Sequence, residues 1–196
     1  MDKQLLLIRY GELGLKGKNK NLFISRLVNN IRAALRGLDN WAVRSTWGRL
    51  WVEIDSAQRE QAISRLKQVF GIYSLSPVLA VEKAIPAISE AAYQVLRQAL
   101  PAGGSFKVET RRADKAFPLI SPEISRTVAA AMFDRLEREG IAGYTADMRQ
   151  PQITVDIEVR GEGAFVYGAT IPGAGGLPVG SGGKALLLLS GGIDSP

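Results

Sequence analysis

From residue 4 to residue 81 the hydrophobic repeat of this chain changes in a set order, and few folds satisfy that order. Gln4–Arg9 (QLLLIR) is a short apolar strand. Tyr10–Asn19 (YGELGLKGKN), with three Gly and two Lys, reads as a loop. Asn21–Arg36 is an amphipathic helix, because Phe23, Leu27, Ile31 and Leu35 return at helical spacing and are joined by Ile24, Val28 and Ala34. Gly37 follows as a stop. Trp41–Trp47 and Leu50–Asp55 are strands about Gly48-Arg49, where Gly at the first central position suits a type II′ turn. Arg59–Phe70 is a second helix with Ile63, Leu66 and Phe70 on one face, and Ile72–Val81 is extended again.

That order, β-α-β-β-α-β, is the ferredoxin-like arrangement. A second α+β unit follows. Pro86–Leu100 is a helix with Pro in its first turn and Ile88, Ala91, Ala92, Val95, Leu96 and Ala99 on one face. Ser105–Thr110 alternates as a half-buried strand, and Arg111–Ile120 (RRADKAFPLI) is a basic loop with one aromatic. Ser121 is placed to cap a helix that begins at Pro122 and buries Ile124, Val128, Ala131, Met132 and Leu136 before Gly140. Ile153–Val159 alternates, and Ala164–Ile171 completes a hairpin across Gly161–Gly163. Residues 172–183 hold six Gly and two Pro, which makes them a linker or a loop that must hug something closely.

The chain contains neither Cys nor His. Disulfides, thiol nucleophiles, imidazole bases and Cys/His metal sites are therefore excluded. No apolar run approaches the roughly 20 residues that span a bilayer, and the start is no signal peptide, so no membrane partner and a cytoplasmic location are expected. The formal charge is +6, and residues 1–50 alone carry ten Lys and Arg against three Asp and Glu. This asymmetry points to an anionic partner at the N-terminal quarter, or to a solvated basic face.

Ala185–Leu189 is a run typical of a buried parallel strand, and Ser190-Gly191-Gly192-Ile193-Asp194-Ser195-Pro196 follows it directly. Paired Gly after a strand lets backbone N–H groups approach an anion, and the helix that normally follows adds its dipole. The string resembles the PP-loop, SGGxDS, of ATP pyrophosphatases. The chain thus reads as the front part of a larger nucleotide-using enzyme, ending just inside its catalytic domain.

Three stretches together resemble one family: RYGELGLKGKN at 9–19, the block from SFKVETRRADKAFPLIS at 105–121 to RQPQITVDIEV at 149–159, and IPGAGGLPVGSGGKALLLLSGGIDSP at 171–196. They are similar to the tRNA 4-thiouridine synthetases, also called thiamine-biosynthesis tRNA sulfurtransferases. The resemblance implies an N-terminal ferredoxin-like domain over 1–76, a THUMP RNA-binding domain over 77–171, a linker over 172–184 and the first strand and loop of a Rossmann-like PP-loop domain over 185–196. It implies ATP with Mg²⁺ as cofactor, adenylation of uridine at tRNA position 8, and sulfur from a donor such as a cysteine desulfurase. Family members are expected to be homodimers.

On that resemblance Ser190, Gly191, Gly192 and Ser195 would hold phosphate. Asp194 would cap the next helix or help hold Mg²⁺, and Leu188 and Leu189 would meet adenine through backbone groups. Arg111, Arg112, Lys115 and Phe117 supply guanidinium and aromatic planes for the tRNA acceptor stem and unpaired 3′ end, with Arg149 beside them. Arg9, Lys16, Lys18 and Lys20 would meet phosphates. Trp41, Trp47 and Trp51 are expected in the core or at an interface. Taken alone, the chain is expected neither to hydrolyse ATP nor to form 4-thiouridine. Two other functions stay open on the residues: the front of a PP-loop ligase acting on a small molecule, and a free-standing RNA-binding adaptor.

Overall fold

The computed structural model describes residues 3–11, 20–46 and 49–183. The first unit comprises β1 (Lys3–Arg9), α1 (Lys20–Ala34), β2 (Ala42–Thr46), β3 (Arg49–Asp55), α2 (Arg59–Leu66) and β4 (Ser74–Val81). This is the ferredoxin-like order expected from the hydrophobic repeat. The second comprises α3 (Ile85–Ala99), β5 (Gly104–Arg112), α4 (Ser121–Arg138), β6 (Tyr144–Ala146), β7 (Ile153–Arg160), β8 (Gly163–Tyr167) and β9 (Ile171–Pro172).

The nine strands among the described residues form one sheet, ordered β2-β3-β1-β4-β8-β7-β5-β6, with β9 also on β4. Strand β4 joins the units. Its first residues pair with β1 up to Val78↔Leu5, and Leu79, Ala80 and Val81 pair with β8. Leu6, Ile8, Leu50, Val52, Ile54 and Leu75 pack with Leu27 and Ile31 of α1 and with Ile63 and Leu66 of α2. In the second unit Phe106, Val108, Val155, Ile157 and Val166 pack with Ile88, Ala92 and Leu96 of α3 and with Ile124, Val128 and Met132 of α4. Alternation along β4 puts Leu75, Leu79 and Val81 on one side, so both helix pairs cover the same side of the sheet.

The opposite side is folded onto itself. Trp51 of β3 and Phe165 of β8 stack with ring centroids 4.5 Å apart, although β1 and β4 lie between their strands. Three flat strand spacings would separate them by about 14 Å, so the sheet bends sharply around β4. Leu7, Val78 and Tyr167 complete this small apolar cluster, which buries Trp51 to 3% exposure. Trp41 is half-buried against the first core, and Trp47 lies outside the described residues.

Several sequence boundaries shift. Helix α2 stops at Leu66, four residues before the expected end, and Phe70 stands exposed rather than on the buried face, because a turn at 67–71 brings Val69 inward instead. Ser121 is the first helical residue of α4 rather than its cap. Its Oγ accepts from the Arg112 amide at 3.2 Å, and the Glu123 carboxylate accepts from the Ile120 amide at 3.0 Å. Strand β6 was not anticipated, being three residues long and mostly exposed. The expected strand 164–171 is broken at Gly168, where the backbone passes so close to α3 and β7 that an added Cβ would lie 2.7 Å from Val95 and from Ile153.

The Gly/Pro-rich segment hugs the first unit. Gly173 N donates to Tyr73 O at 2.9 Å, Gly175 N to Ile72 O at 2.8 Å, and Gly71 N to Gly175 O at 2.6 Å. Asn30 Nδ2 donates to Val179 O at 3.2 Å, and Pro178 is buried. Glycine is required at 173, since a Cβ there would sit 2.3 Å from the Ile72 carbonyl oxygen. From Gly173 to Gly180 the segment is therefore a docked strap, which fits the second of the two readings of its composition.

Candidate nucleic-acid interface

Strand β5 runs through Arg112, two residues beyond its expected end, so Arg111 and Arg112 are strand residues that point to opposite sides of the sheet. Arg111 is exposed on the helix-free side, opposite Glu158 of β7. Arg112 turns to the helix side and donates to the carbonyls of Lys115 at 3.4 Å and Phe117 at 3.0 Å. Asp114 stitches the same loop. Its carboxylate accepts from Lys83 Nζ at 2.7 Å and from the Ala116 amide at 2.9 Å, and these two bonds, in that order, hold it below the usual carboxylate range. The Ala113 and Asp114 amides both donate to Val159 O. The result is a fixed loop that presents Lys115 to solvent, with exposed Arg126 one turn into α4.

Phe117 was expected to offer a stacking face, and the structure corrects this. The ring is 8% exposed and belongs to the core of the second unit, because Arg112 and Asp114 turn the loop inward there. Arg149 is exposed, but on the 147–152 loop at the opposite end of β5. Between the Phe106↔Ile153 pair and Arg111 lie five residue steps, roughly 16 Å. The carboxylate of Asp147 shapes that loop by accepting from the Gln150 amide at 3.0 Å and the Arg149 amide at 2.8 Å, which lowers its own pKa. Arg149 is thus not gathered with Arg111 and Lys115.

Arg9 is likewise not a free loop cation. It donates to Ser76 Oγ at 3.0 Å and lies 4.8 Å over the Tyr167 ring, inside the fold between the two units. Lys20 opens α1 and lines a cavity of about 540 Å³ with Tyr10, Asn29, Arg32 and Ser45. Lys16, Lys18 and the terminal Leu188, Leu189, Ser190, Gly191, Gly192, Asp194 and Ser195 lie outside the described residues.

Beside Arg9 is a buried ionic network that joins the units. Glu158 accepts from Arg49 Nη2 at 3.1 Å, Arg160 Nε at 2.9 Å and Tyr167 Oη at 3.1 Å. Burial alone would raise the Glu158 pKa, but the bonds and charges of Arg49 and Arg160 outweigh it and hold it low. Asp156, two residues earlier on the same side, has no such side-chain hydrogen bonds among the described residues. Burial, then the charge of Glu109 across the strand, push it up to about 6, against smaller opposing effects of Arg111 and Arg9.

Matches to known proteins agree with this architecture. Residues 5–76 match the ThiI ferredoxin-like domain and residues 82–168 match the THUMP domain. A probable tRNA sulfurtransferase of Brevibacillus brevis is 43% identical over all of this chain, and one of Staphylococcus saprophyticus is 42% identical over 97% of it. The chain carries a ThiI ferredoxin-like domain followed by a THUMP domain. It spans about half the length of these curated relatives, 48% and 46% respectively. Among solved structures, a 4-thiouridine synthetase in complex with RNA and bound ATP superposes with a TM-score of 0.79 and 32% identity, over 99% of this chain and 48% of that one. The protein PH1313 of Pyrococcus horikoshii gives a TM-score of 0.79 at 29% identity, over 91% of this chain and 58% of that one.

Lys83, Arg126 and Arg49 also belong to these sites, and the residue pattern does not single them out. One signal was available for Arg126: it falls four residues after Pro122, on the first turns of a helix that starts beside a basic loop. Nothing in the sequence pairs Arg49 with Glu158, 109 residues away.

Two predictions arise here. Arg112→Ala is expected to cost about 1–2 kcal/mol, through two lost bonds to the loop carbonyls, and Arg111→Ala no more than about 0.5 kcal/mol. Urea unfolding of both variants checks this, and equal losses would show that Arg112 does not hold the loop. The second concerns pH. The folded chain keeps a proton on Asp156 between its unfolded value near 4 and its folded value of about 6, so this group's contribution to stability rises as pH falls through 6. Relative to Asp156→Asn, the parent chain is expected to gain about 1 kcal/mol between pH 7 and pH 5. Parallel unfolding curves with no such difference would place Asp156 in solvent.

Proposed function

We propose that this chain is the tRNA-binding portion of an ATP-dependent tRNA sulfurtransferase that makes 4-thiouridine at position 8 of tRNA, with a link to thiamine thiazole formation. The observation that carries the reading is the likeness over 99% of the chain to a 4-thiouridine synthetase whose solved structure contains RNA and ATP. The ferredoxin-like unit (1–76) and the THUMP unit (77–171) hold the acceptor stem and 3′ end in the cytoplasm. Ser190–Ser195 open the loop that takes ATP with Mg²⁺. This chain contains no Cys, so the persulfide sulfur is carried elsewhere in the parent protein or comes from a donor protein such as a cysteine desulfurase. The working enzyme is a homodimer.

Arg111, Lys115 and Arg126 are exposed cations on and beside one fixed loop, which suits phosphates and RNA ends. With Phe117 in the core, unpaired bases meet guanidinium planes there rather than an aromatic ring. The test is binding of an acceptor-stem duplex with and without its unpaired 3′ nucleotides. The form with the single-stranded end is expected to bind several-fold more tightly, and Arg111→Ala is expected to narrow the gap. Equal affinity for the two duplexes would remove end recognition from this surface.

A further inference from the structure

On the helix-free side of the sheet the second unit carries its charges in rows across the strands. Glu109 of β5, Asp156 of β7 and Tyr167 of β8 lie opposite one another in register, and Arg111, Glu158 and Phe165 form the next row. Asp156 is half-buried in the middle of this surface. Around its carboxyl stand Glu109 and Arg111 from β5, Glu158 from its own strand, Tyr167 from β8 and Arg9 from β1. Glu109 is paired with Lys107 Nζ at 2.8 Å, Glu158 accepts from Arg49 and Arg160, and Arg9 is held between Ser76 Oγ and the Tyr167 ring. Of these cations Arg111 is the exposed one.

Burial and the carboxylates of Glu109 and Glu158 disfavour the ionised form of Asp156, and Arg111 and Arg9 relieve part of that penalty. A phosphate that draws the Arg111 guanidinium to itself removes some of this relief and adds a further negative charge beside Asp156. Both effects favour the protonated carboxyl. We propose that tRNA binding at Arg111 is coupled to uptake of a proton by Asp156, so that the Glu109 and Asp156 pair grades the hold of this surface on RNA phosphate. This rests on the proposed function, in which Arg111 meets phosphate. In the free chain Asp156 titrates at about 6, and the sequence has neither His nor Cys, so no other side chain titrates there at its ordinary value. In the complex the value is higher. Affinity is therefore lowest well above the bound value, where Asp156 is ionised in both states. It rises as pH falls towards about 6 and levels off below, where both states hold the proton. For one proton the rise is at most about tenfold per pH unit.

The test is fluorescence anisotropy with a labelled acceptor-stem duplex carrying its unpaired 3′ nucleotides, at fixed ionic strength from about pH 8 to about pH 5, on the wild-type chain and on Asp156→Asn. The wild-type chain should bind several-fold more tightly at the acid end. Asp156→Asn removes the charge and nearly keeps the shape. It should hold the wild-type acid-end affinity throughout, so the gap between the two chains closes as pH falls, and titration of the RNA itself cancels in the comparison. Glu109→Gln should move the wild-type rise to lower pH, because it removes a charge that pushes Asp156 up. Calorimetry at about pH 6.5 in two buffers of different protonation enthalpy should show proton uptake on binding by the wild-type chain and not by Asp156→Asn. A gap of the same size at every pH would overturn the inference by showing Asp156 ionised throughout. No gap at any pH would overturn it by placing the phosphate elsewhere. A chain that binds no duplex at any pH would sink the proposed function instead. The coupling is then read from the Asp156 carboxyl itself: NMR titration of the free chain should give a midpoint that Arg111→Ala raises, and an unmoved midpoint would overturn the inference.

Discussion

Replacing Glu158 by Ala is expected to cost this protein about 3 kcal/mol or more, roughly a 10 °C fall in Tm for a domain of this size. Glu158 is 2% exposed and is the shared acceptor for Arg49 from the first unit and for Arg160 and Tyr167 from the second. Its removal takes away the carboxylate that Arg49 and Arg160 share in the fold of the sheet, and that is where most of the loss arises. Replacing Arg49 and Glu158 together by Met and Leu should recover part of it, because no buried charge is then stranded on the first unit's side. The pH dependence has a defined sign. Glu158 is held below its unfolded pKa, so its stabilisation is complete above the ordinary carboxylate range and fades as pH falls through the folded value. Thermal unfolding of the single and double variants checks the account. A loss under about 1 kcal/mol for Glu158→Ala would mean that water already screens the network.

The second large effect is on RNA affinity. With about three phosphate contacts from Arg111, Lys115 and Arg126, raising salt from about 50 to 200 mM should weaken tRNA binding by roughly 30-fold. Arg111→Ala with Lys115→Ala should flatten the log–log salt slope by about two, and Arg149→Ala, at the far end of β5, should flatten it by less than one. Fluorescence anisotropy with labelled tRNA over a salt series measures each slope. A wild-type slope near zero would remove phosphate contact as the basis of binding. A full loss on Arg149→Ala alone would move the surface to the 147–152 loop.

Some of this was legible in the residues because it depends on short-range repeats. The helical returns of Leu27 and Ile31 and the alternation of Ile153, Val155, Ile157 and Val159 each predict a buried face, and each is buried. Propensity is weakest at ends, where α2 stops at Leu66 and β5 continues through Arg112, because there tertiary pairing rather than repeat decides the last residues. Composition of 172–183 shows only that the backbone is free to approach something; the partner, the Ile72 carbonyl, is 101 residues from Gly173 and carries no local signal.

For the candidate interface the division is sharper. Residue types at 111–117 show that cations and one ring are available, but strand alternation and loop hydrogen bonds decide which of them face solvent. Arg111 and Lys115 remain outside, while Arg112 and Phe117 are taken by the loop and the core. Local repeats and motifs carry the β-α-β-β-α-β order of the first unit, the buried faces of both units and the family resemblance, but not β6 or the break at Gly168. Tertiary contacts alone make the sheet fold about β4, bring Arg49 to Glu158 across that fold, and seat the strap on α1. Those three depend on contacts between residues far apart in the chain, where the energy of a pair is set by distance and burial rather than by neighbours in sequence.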